Sequence, residues 1–115
     1  MPAGSLDITV EQGATFNKTI TYTDIAGDPI DLTNVSAVRA QMRLGSASSS
    51  TALSFTCAVF GTPTNGQISW TMPASTTATA AAGAWVYDLE IEFSSGEVRR
   101  LLQGDVTVSA EVTRP

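Results

Sequence analysis

The 115-residue sequence contains no histidine, a single cysteine and only six basic residues. The absence of histidine removes the commonest general base and the commonest transition-metal ligand. One thiol, Cys57, can form neither an internal disulfide nor a zinc site, and in the run FTCAVF we expect it to be a small core residue. Eleven acids against six bases give a net charge of −5, which argues against direct nucleic-acid binding.

Charged residues are also scarce, at 15% of the chain, and no apolar run approaches the ~20 residues of a membrane span. The N-terminal MPAGSLDITV has neither a basic nor an apolar region, so we expect no signal peptide and no membrane association. The length predicts one domain, residues 1–115. A surface with little charge suits a protein whose faces meet other proteins, although a small polar surface without a partner has the same composition.

Alternation of apolar and polar residues with a period of two predicts β-strands along most of the chain. It is clearest in GAWVYDLEIEF (83–93), where three aromatic residues share one face. The same pattern predicts strands at residues 6–11, 15–24, 36–44, 51–60 and 67–72. The period breaks in residues 73–83, where Ser75 is expected to cap a short helix that ends at Gly83.

The last third of the chain predicts a hairpin followed by one long strand. Residues 95–96, Ser-Gly, suit a two-residue turn that would pair Leu89 with Leu102. The alternation keeps its phase across Gly104, so we expect a single strand over residues 97 to about 113, bent at that glycine.

This register predicts which face of the last strand two arginines and two leucines occupy. It pairs Glu92 with Arg99, and it places Arg100 on the inner face and Leu101 on the outer face. A bulge at the two arginines would instead turn both outward and expose Leu102. Either arrangement predicts one leucine exposed beside arginine, as an isolated surface residue or as an interface contact.

Together these patterns predict an all-β fold, an antiparallel immunoglobulin-like β-sandwich of seven to eight strands with one short helical crossover. A small closed barrel is the alternative.

The acidic residues do not indicate catalysis or metal binding. The strand at 83–93 carries three acids two positions apart, which we interpret as a solvated outer face: Asp88, Glu90 and Glu92. Three aspartates around the turn at 25–31 could in principle bind calcium, but their spacing is not that of an EF-hand, and capping of their own turns is the preferred interpretation: Asp24, Asp28 and Asp31. We predict no catalytic, cofactor-binding or metal-binding residues.

A carbohydrate-binding module is the alternative from another functional class. Such β-sandwiches stack sugars on exposed aromatic rings. Here Trp70, Trp85 and Tyr87 fall on the apolar face of their strands, which predicts burial.

The segments LDITVEQGATF, GDPIDLT and AGAWVYDLEIEFSSGEVRRLLQGDVTVSAEVT resemble short proteins encoded among the virion structural genes of tailed bacteriophages. They are also similar to the immunoglobulin-like N-terminal domain of phage baseplate upper proteins. Most of the resemblance lies in residues 27–33, 87–89 and 100–104. It implies a virion component that docks on other structural proteins. Longer baseplate relatives continue into a shaft or receptor-binding region, whereas this sequence ends at Pro115, so a small adaptor is the expected role.

We therefore expect a non-enzymatic virion structural protein, an accessory or adaptor subunit of the tail, neck or baseplate region. A capsid decoration protein is the alternative within this class. Expected partners are other phage structural proteins and symmetric copies of the chain. The predicted contact residues lie in the N-terminal strand, an arginine–leucine patch and the polar loop 45–50: Leu6, Ile8, Val10, Arg99, Arg100, Leu101, Ser46 and Ser48.

Overall fold

The computed structural model describes residues 4–112, and nearly all of its regular structure is β. The strands are β1 (Gly4–Ser5), β2 (Ile8–Glu11), β3 (Phe16–Thr21), β4 (Val35–Leu44), β5 (Ala52–Val59), β6 (Gln67–Met72), β7 (Gly83–Phe93) and β8 (Val98–Ser109). A single 3-10 turn spans Pro63–Asn65, and a one-turn helix, α1, spans Ala74–Thr77. The predicted all-β fold with one short helical crossover is thereby confirmed.

The strands follow the order β1/β2–β8–β7–β4–β5–β6–β3, with β1 and β2 both paired to β8. β5 joins the two layers, because residues 52–55 pair with β4 and residues 56–59 pair with β6. The sheet therefore curls over a shared core.

The pairing of the N-terminal strands departs from the antiparallel expectation: β1 and β2 both run parallel to β8. The reason is that β2 is followed by a turn that takes the chain to β3, in the other layer, so no hairpin joins β2 to its neighbour.

β7 lies between β4 and β8 and forms the centre of the larger layer. Its alternation places Trp85, Tyr87, Leu89 and Ile91 in the core, as predicted. Around Trp70 the core is aromatic, with ring centroids between 5.2 and 5.4 Å apart to Phe16, Phe55 and Tyr87. Burial of these apolar residues is the main source of stability in a fold of this kind.

The hairpin between β7 and β8 is one residue longer than predicted. Phe93 N–H donates to Glu97 O at 2.8 Å, so the loop has three residues, 94–96, and Gly96 adopts a φ of 93°. Three-residue loops that end in a left-handed glycine are a common hairpin type. The longer loop places Glu92 opposite Val98, so the predicted pairing of Glu92 with Arg99 is wrong.

A β-bulge at Leu101 then restores the predicted register. Leu89 pairs with Leu102 and Glu90 with Arg100, which leaves Leu101 as the extra residue of β8. Leu101 is 2% exposed, so the expectation that it faces outward is wrong. Both arginines are exposed and Leu102 is half-buried. A bulge reverses the facing of the residues that precede it, which explains why simple alternation failed here.

β8 runs through Gly104 to Ser109, which confirms a single strand across that glycine, but it ends earlier than predicted because residues 110–112 are not in a strand. Thr113, where the prediction ended this strand, lies outside the described residues.

α1 begins two residues earlier than predicted. Pro73 is its N-cap and Ser75 lies within it, while Gly83 is the first residue of β7. Proline fixes φ near −65°, here −67°, which favours the start of a helix at this position over a serine cap two residues later.

The aspartates of the 24–31 turn act as predicted at two positions. Asp24 Oδ1 accepts the N–H groups of Ala26 and Asp28 at 2.9 and 3.0 Å. Asp31 Oδ1 accepts the hydroxyl and the N–H of Thr33. These bonds lower the pKa of Asp31, the hydroxyl contact being the larger cause. Within residues 4–112, no three His, Cys, Asp or Glu side chains are grouped as metal ligands.

Cys57 is half-buried against the core, and burial raises the pKa of its thiol to about 11. None of the helices in the described part of the chain is long and apolar enough to cross a membrane.

Candidate protein-binding surface

The outer face of β7 carries an ion-pair ladder. Arg39, on β4, contacts Glu90 at 3.0 Å and Glu92 at 2.9 Å. Arg100, on β8, contacts Asp88 at 3.3 Å. These contacts raise the pKa of Arg39, with the hydrogen bond to Glu92 as the largest cause. All three carboxylates are partly exposed and paired, which confirms the predicted solvated outer face.

Beside this ladder the outer face forms a groove of about 450 Å³. It lies over β1, β4, β7 and β8, and its charged lining residues are Asp7, Arg43, Asp88, Arg100 and Asp105. Charges of both signs line it, and the arginine and aspartate on its floor are already paired with each other. The groove offers polar contacts to a partner surface.

The N-terminal strand is fixed to the sheet at an irregular point between β1 and β2. Tyr87 donates its hydroxyl to Leu6 O at 2.5 Å, and Asp105 donates its N–H to Asp7 Oδ1 at 3.0 Å. Gly104 makes this possible, because an added Cβ would lie 2.2 Å from the Leu6 oxygen. Burial, with Asp7 as a lesser cause, raises the pKa of Tyr87 to about 12.

Two strand edges remain without a partner in the described residues, those of β1/β2 and of β3. The N–H groups of Leu6 and Gln12 donate to β8, so the even positions of this segment face β8. The odd positions, Asp7, Thr9 and Glu11, direct their backbone groups at the open edge. An open edge of this kind is a template for pairing with another chain.

The residues predicted as contacts are not brought together. Leu6, Ile8 and Val10 point into the core, where Val10 is fully buried, so this strand offers a partner only its backbone edge and its outer polar side chains. Leu101 is buried as well and is removed from the candidate surface, because the bulge turns it inward.

The two arginines of the predicted patch are exposed but engaged in different contacts. Arg99 Nε contacts Glu97 Oε2 at 2.6 Å, and its guanidinium lies 5.1 Å from the ring centroid of Phe93. The Glu97 hydrogen bond is the largest cause that raises the pKa of Arg99. Arg100 faces the groove, where Nη1 donates to Gln103 Oε1 at 3.3 Å. The two arginines therefore do not form one patch: Arg99 lies at the hairpin and Arg100 at the groove.

The loop 45–50 is exposed at Ser46 and Ser48, whose hydroxyls are 3.3 Å apart. Its conformation depends on Arg43, which donates from Nη1 to Ser49 O at 2.8 Å. The adjacent Ala47 reaches the groove. Whether these serines contact a partner stays a prediction.

The three aromatic residues considered for a sugar-binding platform are buried. Trp70, Trp85 and Tyr87 are 0%, 2% and 5% exposed. Trp85 Nε1 donates to Ala81 O at 2.8 Å, which fixes its ring inside the fold. The predicted burial of all three is confirmed.

Sequence reasoning missed the two positions that fix the N-terminal edge, Gly104 and Tyr87. The glycine was interpreted as a bend, and nothing local indicates that a third strand crosses it. The acidic residues on the outer face of that strand, Asp7 and Glu11, were visible in the alternation but were not considered as contacts.

No protein-family model and no curated protein matches the chain. Among solved structures, an internalin-like protein of Listeria monocytogenes, lmo2027, is similar with a TM-score of 0.44 and 14% identity. The similarity covers 95% of this chain and 28% of that protein, so the chain spans less than a third of its length.

Proposed function

We propose that this chain is a non-enzymatic structural subunit of a tailed-bacteriophage virion. In this role it is an accessory or adaptor of the tail, neck or baseplate region and acts through protein–protein contacts. The observation that carries the proposal is the open edge of β1 and β2, where three residues direct backbone groups away from the fold. In the part of the chain that the structure describes, only the Glu11 carbonyl among these groups has a partner outside the strand ladders, the N–H of Ala14. The sequence resemblance of residues 27–33, 87–89 and 100–104 supports the phage assignment.

Burial of the aromatic cluster favours this role over sugar binding. A sugar-binding sandwich presents aromatic rings to solvent, but the Trp70 and Trp85 rings are here enclosed by the core. A capsid decoration protein remains the alternative within the same class, since it would use the same kinds of edges and faces.

The test is to look for the chain in purified virions of the phage that encodes it. We expect mass spectrometry of the particles to detect the chain, and immunogold labelling with an antibody against the recombinant domain to mark the neck or tail end. Label spread over the head would favour the decoration alternative. Absence of the chain from the particles would refute both virion roles. Antibody absorbed with the recombinant domain is the labelling control.

The arginine contacts can be tested in the same particles. Arg99→Glu with Arg100→Glu changes the exposed charges without touching the buried Leu101. We expect this variant to be lost from virions, whereas Ser46→Ala with Ser48→Ala should change incorporation less. Equal incorporation of the arginine variant and the native chain would remove both arginines from the contact surface.

A further inference from the structure

The two open edges of the sheet differ in how well they can accept another strand. On β3, Tyr22 N–H donates to Gly66 O, so the even positions face β6 and the odd positions face the open edge. Lys18 lies on the inner face of this strand and is half-buried. An inward-pointing charge on an edge strand must reach solvent around the edge, and natural β-sandwiches use this device to prevent pairing. The β3 edge is therefore protected.

The β2 edge has no such protection. Its inner positions are the apolar residues Ile8 and Val10, and it contains neither lysine nor proline. Thr9, at the centre, is exposed and directs its N–H and C=O to the edge. The Glu11 carbonyl already accepts the N–H of Ala14, so the free groups lie between Asp7 and the Glu11 N–H. A strand added here would extend the inner apolar face of the larger layer.

The charge along this edge identifies the occupant. Four acidic residues lie on the segments around this edge: Asp7 just before β2, Glu11 at its end, Asp105 on β8, and Glu111 after β8 beside Gly13. Within residues 4–112 none of the four forms a salt bridge, whereas the acids of the β7 ladder and Glu97 are all paired with arginine. Arg43 and Arg100 line the same groove as Asp7 and Asp105, but negative charge that no salt bridge of the described residues neutralises, beside open backbone groups, favours a positively charged partner.

The same charges disfavour a second copy of the chain. In an antiparallel pair centred on Thr9, Asp7 of one copy would face Glu11 of the other, twice. Like charges directly opposite each other destabilise a strand pair.

We infer that the β2 edge binds an extended basic segment of a neighbouring protein as an additional strand. Positions opposite Asp7 and Glu11 are four residues apart and carry lysine or arginine. Positions opposite Ile8 and Val10 lie between them and are apolar, because they face the core side of the sheet. The segment is thus basic–apolar–polar–apolar–basic. The inference names the partner chemistry for the proposed assembly role and draws its biological meaning from that role, but its test needs no virion.

The probe is a capped peptide with lysine at the first and fifth positions, valine at the second and fourth and threonine at the third, flanked by threonines. Titrated into the ¹⁵N-labelled chain, it should shift the amide resonances of Asp7, Thr9 and Glu11. Because the contacts are between exposed charges, binding should weaken several-fold between about 0.05 and about 0.5 M salt. A peptide with glutamate in place of lysine is the control and should not bind.

Two variants locate the site. Thr9→Pro removes a backbone N–H that points to the open edge and prevents a strand from pairing there. It should therefore abolish the peptide-induced shifts of the β2 amide resonances. Thr19→Pro is the matched control, because Thr19 is equally exposed at the centre of the other edge. Asp7→Asn with Glu11→Gln retains the acceptor for Asp105 N–H and should weaken binding roughly three- to tenfold. Circular dichroism checks that each variant is folded. If Thr9→Pro does not fold, the Asp7→Asn, Glu11→Gln variant decides whether the peptide binds at this edge.

The inference is overturned if the lysine peptide shifts no β2 amides at millimolar concentration. It is also overturned if the shifts fall on β3, if the glutamate peptide binds equally well, or if the charge variant binds like the native chain. A failure here with the chain present in virions refutes the strand-addition site alone. Peptide binding with the chain absent from virions refutes the proposed function alone.

Discussion

Replacement of Gly104 by alanine tests the contact that holds the N-terminal edge strand on the sheet. Gly104 has an ordinary φ, so alanine introduces no backbone strain at this position. Its Cβ would lie 2.2 Å from the oxygen and 2.8 Å from the carbonyl carbon of Leu6. Both are backbone atoms, so no change of side-chain rotamer relieves the overlap, and β1 and β2 must move away from β8.

Three effects determine how this substitution changes the free energy of unfolding. Overpacking of this kind costs about 1–3 kcal/mol. Displacement of the strand also weakens the hydrogen bond from Tyr87 to Leu6, worth roughly 0.5–1.5 kcal/mol. Loss of glycine from the unfolded chain offsets about 0.4–1 kcal/mol of this. We expect Gly104→Ala to lower the free energy of unfolding by about 2–3 kcal/mol, which for a domain of this size is a fall in Tm of roughly 8–12 °C.

Urea denaturation followed by tryptophan fluorescence measures this change, because Trp70 and Trp85 are both in the core. Gly4→Ala is the matched control, since Gly4 faces the same strand with an ordinary φ and its nearest neighbour is the flexible end of Leu102 at 3.3 Å. We expect the control to change the free energy of unfolding by less than about 0.5 kcal/mol.

A double-mutant cycle with Tyr87→Phe examines the mechanism. Alone, Tyr87→Phe should cost about 1 kcal/mol, but in the Gly104→Ala background it should cost much less, because the displaced Leu6 carbonyl no longer accepts the bond. The account of this contact would be refuted if Gly104→Ala did not change the free energy of unfolding, or if the effects of Gly104→Ala and Tyr87→Phe were fully additive.

Three further outcomes are expected from the remaining contacts. Thr77→Val should lower the free energy of unfolding in urea by about 1–3 kcal/mol, because the buried hydroxyl accepts the Gly13 N–H at 3.1 Å and that donor would be left unpaired. A change below about 0.5 kcal/mol would contradict this. The lowered pKa of Asp31 means that its stabilising contribution is present above the ordinary aspartate pKa and is lost as the pH falls through the lowered value. In an NMR titration, Thr33→Val should return this pKa part of the way toward 3.8, because the backbone N–H of residue 33 still donates to Asp31, and an unchanged value would exclude the Thr33 hydroxyl as a cause. Arg39→Ala should leave the midpoint of thermal denaturation nearly unchanged despite its two ion pairs, since exposed pairs contribute little, and a fall as large as that of Thr77→Val would show that the ladder is structural.

The sequence predicted the strands well where one face of a strand is buried and the other exposed. β7 has the predicted limits, Gly83 and Phe93, because its inner positions are all apolar and its outer positions are mostly acidic. β6 also matches, since three large inner residues alternate with small polar ones. In such strands a slip of one residue would bury the polar set, so the pattern fixes the facing of each side chain.

The candidate surface was predicted less well. The alternation predicts the N-terminal strand, but the apolar side chains that it offers as contacts belong to the core. Leu101 was placed outside because alternation assumes a regular strand, and a bulge breaks that assumption. The bulge depends on the length of the hairpin loop and on the fit of two leucines against the opposite layer, and neither is a local property of the sequence.

Alternation and turn residues by themselves determined that this chain is all-β, that residues 83–93 form its centre and that Trp70, Trp85 and Tyr87 are buried. These features follow from local chemistry, because each strand must bury its own apolar face. Only the tertiary structure decided that the first strand runs parallel to the last, that Leu6 crosses Gly104 to reach Tyr87, and that unpaired acids lie along an open edge. Those features join residues about a hundred positions apart, and their energies arise only when the segments meet.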